Sequence, residues 1–85
     1  MYSNVLLDLF NYLYSDMLIR LQEEYPALTK HDLEICCLLK FGFTNDALKR
    51  VFFTTSDSIT KAKGRLKKRL NISAQEDLDH FIRNY

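Results

Sequence analysis

Between Thr55 and Leu70 the chain reads TSDSITKAKGRLKKRL, and a helix sorts these residues into two clean faces. Ile59, Ala62, Leu66 and Leu70 recur three and four residues apart, which at about 100° per residue makes one narrow apolar stripe. Thr55 stands where a helix N-cap belongs. Six basic side chains crowd the remainder (Lys61, Lys63, Arg65, Lys67, Lys68 and Arg69), with only Asp57 opposing them near the start. Asp57, Lys61, Gly64 and Lys68 lie roughly opposite the stripe, flanked by Ser58, Thr60 and Arg65. Such a helix docks on a small core by one edge and turns a cationic face outward, a face that fits the major groove of DNA. A basic helix that is merely solvated carries the same pattern, so its surroundings have to decide.

At 85 residues the chain suits one domain with one modest core. It is 47% hydrophobic with two Gly and one Pro, a composition for a helical globule and not for a disordered segment. The net charge of +1 would argue against nucleic acid, but it averages three unlike blocks: residues 1–48 carry −4, residues 49–70 carry +7 and residues 71–85 carry −2. The nearby block sets the potential at a groove, because charges beyond a Debye length are largely screened. No signal peptide is visible, and no window approaches the roughly 18 unbroken apolar residues of a membrane span. Cys36 and Cys37 are adjacent, a spacing that suits neither a CxxC redox pair nor a zinc site. They read as buried small hydrophobes in a reducing cytoplasm, with no metal and no cofactor expected.

Taken in order, Met1 to Glu24 is expected to form one long helix, unbroken by Gly or Pro. Its polar residues Asn4, Asp8, Asn11, Ser15 and Gln22 share one strip, and most of the remaining girth is apolar. Two stripes separate: Leu7, Phe10, Tyr14, Met17 and Leu21, and then Tyr2, Val5, Leu9, Tyr12 and Ile19, interrupted by Asp16. One stripe can pack on its own domain. The other is assigned to a second copy of the chain, making Tyr2, Val5, Leu9, Tyr12 and Ile19 the expected dimerisation face; burial of both stripes within the monomer is the plainer possibility. Tyr25-Pro26 ends the helix. Thr29 then caps a second helix to about Phe41, with Asp32 at N3, Leu28 and Leu33 as a hydrophobic staple and Gly42 to close it. Its buried stripe is expected at Leu33, Cys36, Cys37, Leu39 and Lys40. Thr44 caps a short helix over 45–52 that offers Leu48, Val51 and Phe52 to the core. After the basic helix, Ser73 with Glu76 reads as a capping box for a last helix burying Leu78, Phe81, Ile82 and Tyr85. The expectation is all-α, five helices joined by short turns, divided into an N-terminal helix (1–25) and the remainder (26–85).

A short helix, a turn and a longer helix with a cationic outer face make the helix-turn-helix arrangement. Helix 45–52 would brace across the DNA backbone and helix 56–70 would lie in the major groove. Lys and Arg neutralise phosphates and release counterions. Thr55 and Ser56, with the free amides of the helix start, suit a phosphate oxygen. Thr60 and Lys61, one turn in, can reach base edges. Gly64 costs about 1 kcal/mol relative to Ala inside a helix, a cost that close approach of backbone to the groove would explain; a tolerated surface glycine is the equal alternative.

The elements YPALT (25–29), LEICCLLKFGFTN (33–45) and SITKAKGRLKKRL (58–70) resemble the LuxR/GerE-type helix-turn-helix domain. They look most like the version at the C-terminal end of tetratricopeptide-containing regulators of Bacteroidetes, where a leading helix ending in YP precedes a four-helix unit. The resemblance implies a compact four-helix DNA-binding bundle of the winged-helix-like superfamily behind a long N-terminal helix. It places base contacts on Thr60, Lys61 and Gly64, and phosphate contacts on Ser58, Arg65 and Lys68 or nearby. It also implies a bacterial, dimeric transcription factor bound to double-stranded DNA. The chain departs from the family pattern at Ala47-Leu48-Lys49, where a Glu-Ile-Ala triplet is usual, at Thr54, where an aliphatic residue is usual, and at Gly64, where a base-reading side chain is common.

Two other readings share the fold. One is a protein-interaction domain whose apolar first helix binds a partner while the basic helix only solubilises. The other is a fragment like region four of a sigma factor, since SITKAKGRLKKRL also looks like the promoter-reading helix of those proteins. Enzyme activity is not expected: there is no Gly-rich phosphate loop, Ser/His/Asp set or metal spacing, and His31 and His80 stand alone on different helices.

Overall fold

The computed structural model describes residues 8, 9 and 12–85. Among these the chain is all-helical, with five helices in the order α1 (Ser15–Glu24), α2 (Lys30–Phe41), α3 (Asn45–Phe52), α4 (Ser56–Arg69) and α5 (Leu78–Arg83). No helix among the described residues is long and apolar enough to cross a membrane.

One core joins all five helices. Met17 and Leu21 of α1 meet Ile35–Leu39 of α2, Leu48 and Val51 of α3, Ile59, Ala62 and Leu66 of α4, Leu70 just beyond it, and Leu78 and Ile82 of α5. The helix α1 therefore belongs to the same core as the helices that follow it. α2 is the hub. Its five consecutive residues 35–39 are each fully buried, which occurs when a helix is covered on every side. The expected stripe of Leu33, Cys36, Cys37, Leu39 and Lys40 is thus too narrow. It omits Ile35 and Leu38, while Leu33 and Lys40 are only half-buried. α5 packs along α2, and α3 along α4. Lys40 near the end of α2 donates from Nζ to the Arg83 carbonyl at 2.7 Å, where the end of α5 leaves carbonyls without helical partners.

The helix boundaries follow local chemistry. Thr29 and Asp32 form a reciprocal capping box: the Thr29 side chain accepts from the Asp32 amide at 3.1 Å, and the Asp32 carboxylate accepts from the Thr29 amide at 2.9 Å. Gly42 closes α2 at φ +99°, a left-handed conformation costly to residues bearing a Cβ. Thr44 caps α3 through the Ala47 amide, and Pro26 holds Tyr25 out of the α region at the end of α1.

Two expected boundaries are corrected. The single helix over 1–24 is interrupted at Tyr14, whose φ −119° and ψ 26° leave the helical region. Residues 8, 9, 12 and 13 are helical before it, and Ser15 and Asp16 provide the polar first turn that suits a fresh helix start. The break accompanies the packing of Tyr14 onto the core. Ser73 does not cap the last helix either. Its hydroxyl accepts from the Gln75 amide at 3.2 Å in a local turn, and the N-cap is Asp77, which accepts from the Asp79 amide at 3.1 Å. An Asp immediately ahead of Leu78 outcompetes a Ser four residues earlier, because the apolar residues of α5 begin only at Leu78.

Candidate nucleic-acid interface

α3, a three-residue turn and α4 occupy the positions expected for a helix-turn-helix pair. The turn is made by Phe53 in the left-handed region, φ +52° and ψ +51°, whose amide donates to the Lys49 carbonyl. The Thr54 amide donates to the same oxygen at 3.0 Å. Thr55 then caps α4: its Oγ1 accepts from the Ser58 amide at 3.2 Å and donates to Ser58 Oγ at 3.1 Å. The Thr55 side chain thus meets Ser58 twice, at its amide and at its hydroxyl. What the start of α4 still offers an anion is its first amides and the exposed Ser56 and Ser58.

α4 buries the expected stripe, Ile59, Ala62, Leu66 and Leu70, and the opposite face is in solvent. All eight residues singled out from the sequence for DNA contact are exposed: Thr55, Ser56, Ser58, Thr60, Lys61, Gly64, Arg65 and Lys68. A methyl group added at Gly64 would meet nothing within 4 Å among the described residues, so no described neighbouring element requires glycine there. For the expected dimerisation face, Leu9, Tyr12 and Ile19 are exposed, as is the neighbouring Leu13, while Tyr2 and Val5 lie outside the described residues. The other stripe does turn inward, with Met17 and Leu21 buried and Tyr14 packed on the core; its Leu7 and Phe10 also lie outside the described residues.

The six basic side chains of α4 divide into two sets. Three are half-buried and serve as struts. Lys63 Nζ sits 2.7 Å from Asp79 Oδ1 and donates to Asn45 Oδ1 at 2.9 Å. Lys67 Nζ donates to the Ala74 carbonyl at 2.8 Å, and Arg69 pairs with buried Asp32 of α2. The other three face solvent: Lys61, Arg65 and Lys68. Lys61 lies 3.1 Å from Asp57 one turn earlier, with both side chains largely exposed, so this pair is weak and easily exchanged for a phosphate. The sequence shows six cations on the helix; the fold leaves three for a ligand.

Sequence reasoning also missed the flanks of α4. On one side Thr60, Lys63, Gly64 and Lys67 border an open groove whose far wall is Glu76, Asp77, Leu78 and Asp79. On the other, Ala62, Arg65 and Arg69 border a smaller hollow closed by Thr29, His31 and Asp32 of the α2 start. The ring of His31 meets Phe52 edge-on at 4.9 Å and its Nδ1 lies 3.6 Å from Glu34, which gives it a packing role. Cys36 and Cys37 are buried, and their thiols are pushed up to about 12 and about 11, in each case first by burial; Asp32 and Cys37 add to the effect at Cys36, and Glu34 at Cys37. Thiols held neutral in this way are poor nucleophiles. Among the described residues no group of three or more His, Cys, Asp or Glu could hold a metal ion.

Comparison of the chain with protein-family models, with curated proteins and with solved structures returns no match. The functional reading rests on the residues and their geometry.

Proposed function

We propose that this chain is a DNA-binding transcriptional regulator module of the LuxR/GerE-type helix-turn-helix kind, dimeric, cytoplasmic, and reading the major groove with α4. The observation that carries the reading is the sorting of α4. Its apolar stripe and three of its cations are consumed by the fold, and everything else along its length, Lys61, Arg65 and Lys68 included, faces solvent. A helix about 10–12 Å across matches a groove about 12 Å wide. In that position Arg65, Lys68 and Ser58 serve phosphates, Thr60 and Lys61 address base edges, and Gly64 lets backbone approach the floor of the groove. α3 braces across the backbone, and Leu9, Tyr12 and Ile19 hold a second copy so that two reader helices address two half-sites.

Titration of random-sequence duplex across a range of salt tests this reading. Three exposed cations imply that log K falls with log salt with a slope of about −3 per chain, at −0.9 for each phosphate neutralised. A chain with no duplex affinity at low salt would instead be a protein-interaction domain, a second reading favoured by the exposed side chains of Leu9, Tyr12, Leu13 and Ile19.

A further inference from the structure

The two flanks of α4 differ in charge. In the groove beside Thr60 and Gly64, three carboxylates (Glu76, Asp77 and Asp79) stand against two ammonium groups, Lys63 and Lys67. Lys63 is already held by Asp79 at 2.7 Å, and Lys67 is turned onto the Ala74 carbonyl. Glu76 and Asp77 are exposed, and neither has an ion-pair partner among the described residues. On the opposite flank Arg69 answers Asp32, and Arg65 is left over as an exposed cation.

The acidic wall is also held in place. Lys67 ties the 73–76 turn to α4 through Ala74, Lys63 ties the start of α5 to α4 through Asp79, and the Ser73 turn is closed by the Glu76 amide donating to the Ser73 carbonyl at 3.1 Å. Two cations of the reader helix thus act as struts that hold carboxylates beside it. Phosphates brought against that wall would meet uncompensated negative charge at short range, where salt screens least.

Resting on the duplex-binding reading above, we propose that the duplex seats off the axis of α4, towards Arg65, because Glu76 and Asp77 form a fixed acidic rim that repels the phosphate strand on the Thr60 and Gly64 side. The rim lowers affinity for any duplex and admits only those orientations that keep phosphates on the Arg65 flank. It is a specificity device outside the reader helix.

The test is duplex titration at low and at moderate salt with the wild type, Glu76→Gln, Glu76→Gln with Asp77→Asn, and a control of equal net charge, Glu23→Gln with Glu24→Gln, on exposed positions of α1. Asn at 77 retains the N-cap of α5, and the exposed Glu76 side chain makes no hydrogen bond among the described residues. Expected is a gain in affinity of about two- to fivefold per rim carboxylate at low salt, shrinking as salt rises, with the α1 control close to wild type. Equal affinity of the rim variants and the wild type, or an equal gain in the α1 control, would overturn the rim while leaving duplex binding intact. Absence of duplex affinity in every variant would overturn the rim and the DNA-binding reading together.

Discussion

Arg69 of α4 places one guanidinium nitrogen, Nη1, within 3.0 and 2.9 Å of the two carboxylate oxygens of Asp32 on α2. Asp32 simultaneously accepts from the Thr29 amide, so one buried carboxylate caps the hub helix and anchors α4. The two partners are unequally buried: the Asp32 side chain is 4% exposed and that of Arg69 34%. Removing Arg69 strands a charge away from water, whereas removing the Asp32 charge frees a guanidinium that can reach solvent. Arg69→Met should therefore cost about 2–3 kcal/mol and Asp32→Asn only about 1 kcal/mol, since Asn can keep the bond to Thr29. Denaturant unfolding of both variants and of the double variant measures the asymmetry; equal costs would contradict it.

Phe53 sits in the left-handed region and is 73% exposed. The conformation costs a residue with a Cβ about 1–2 kcal/mol, part of which Gly gives back through a freer unfolded chain. Phe53→Gly is expected to stabilise by about 0.5–1 kcal/mol in chemical denaturation, and a loss of stability would show that the ring supports the turn.

At Gly64 stability and binding should move in opposite directions. A Cβ there meets nothing among the described residues, so Gly64→Ala should gain about 1 kcal/mol of stability from helix propensity alone. If Gly64 is the closest approach of α4 to the groove floor, the same methyl weakens duplex binding. Improved stability with undiminished binding would identify the glycine as a tolerated surface residue.

Much of this was legible in the sequence, for a physical reason. The stripe Ile59, Ala62, Leu66, Leu70, the caps Thr29, Thr44 and Thr55, and the terminator Gly42 are all decided within one or two turns of chain, where spacing and capping chemistry suffice. What escaped was decided over longer distances. Helical spacing sets Lys61 opposite the apolar stripe and Lys63 beside it, but the partners that claim Lys63, Asp79 and Asn45, stand on other helices and are not visible from α4 alone. Arg69 is claimed by a residue 37 positions away. The acidic rim became visible only when the fold brought Glu76 and Asp77 beside Thr60. Burial of Ile35 and Leu38 was missed because a helix at the centre of a bundle has no solvent face to break its pattern.

The thiols give a pH dependence of definite sign. Burial raises Cys36 to about 12 and Cys37 to about 11 from an ordinary value of 9.0, so above pH 9 the unfolded chain releases protons that the folded chain keeps. The stability associated with the neutral thiols is complete below about pH 9 and is lost as pH rises towards 11 and 12, by at most about 1.4 kcal/mol per pH unit for each thiol. The difference between the wild type and the Cys36→Ala, Cys37→Ala variant isolates this from tyrosine and lysine titration. Parallel profiles for the two proteins between pH 9 and 11 would contradict it.

Light scattering at tens of micromolar tests the dimer. Expected is twice the chain mass of 10.1 kDa, falling to the monomer in Ile19→Glu, where an exposed position should leave the core untouched. A monomeric wild type would contradict the proposed dimer.

The most direct measurement is duplex affinity of Lys61→Glu combined with Lys68→Glu at low salt, with helicity followed in parallel. These cations bind nothing in the core, so helicity should equal that of the wild type while duplex binding disappears. Unchanged binding would mean that the exposed face of α4 does not contact DNA.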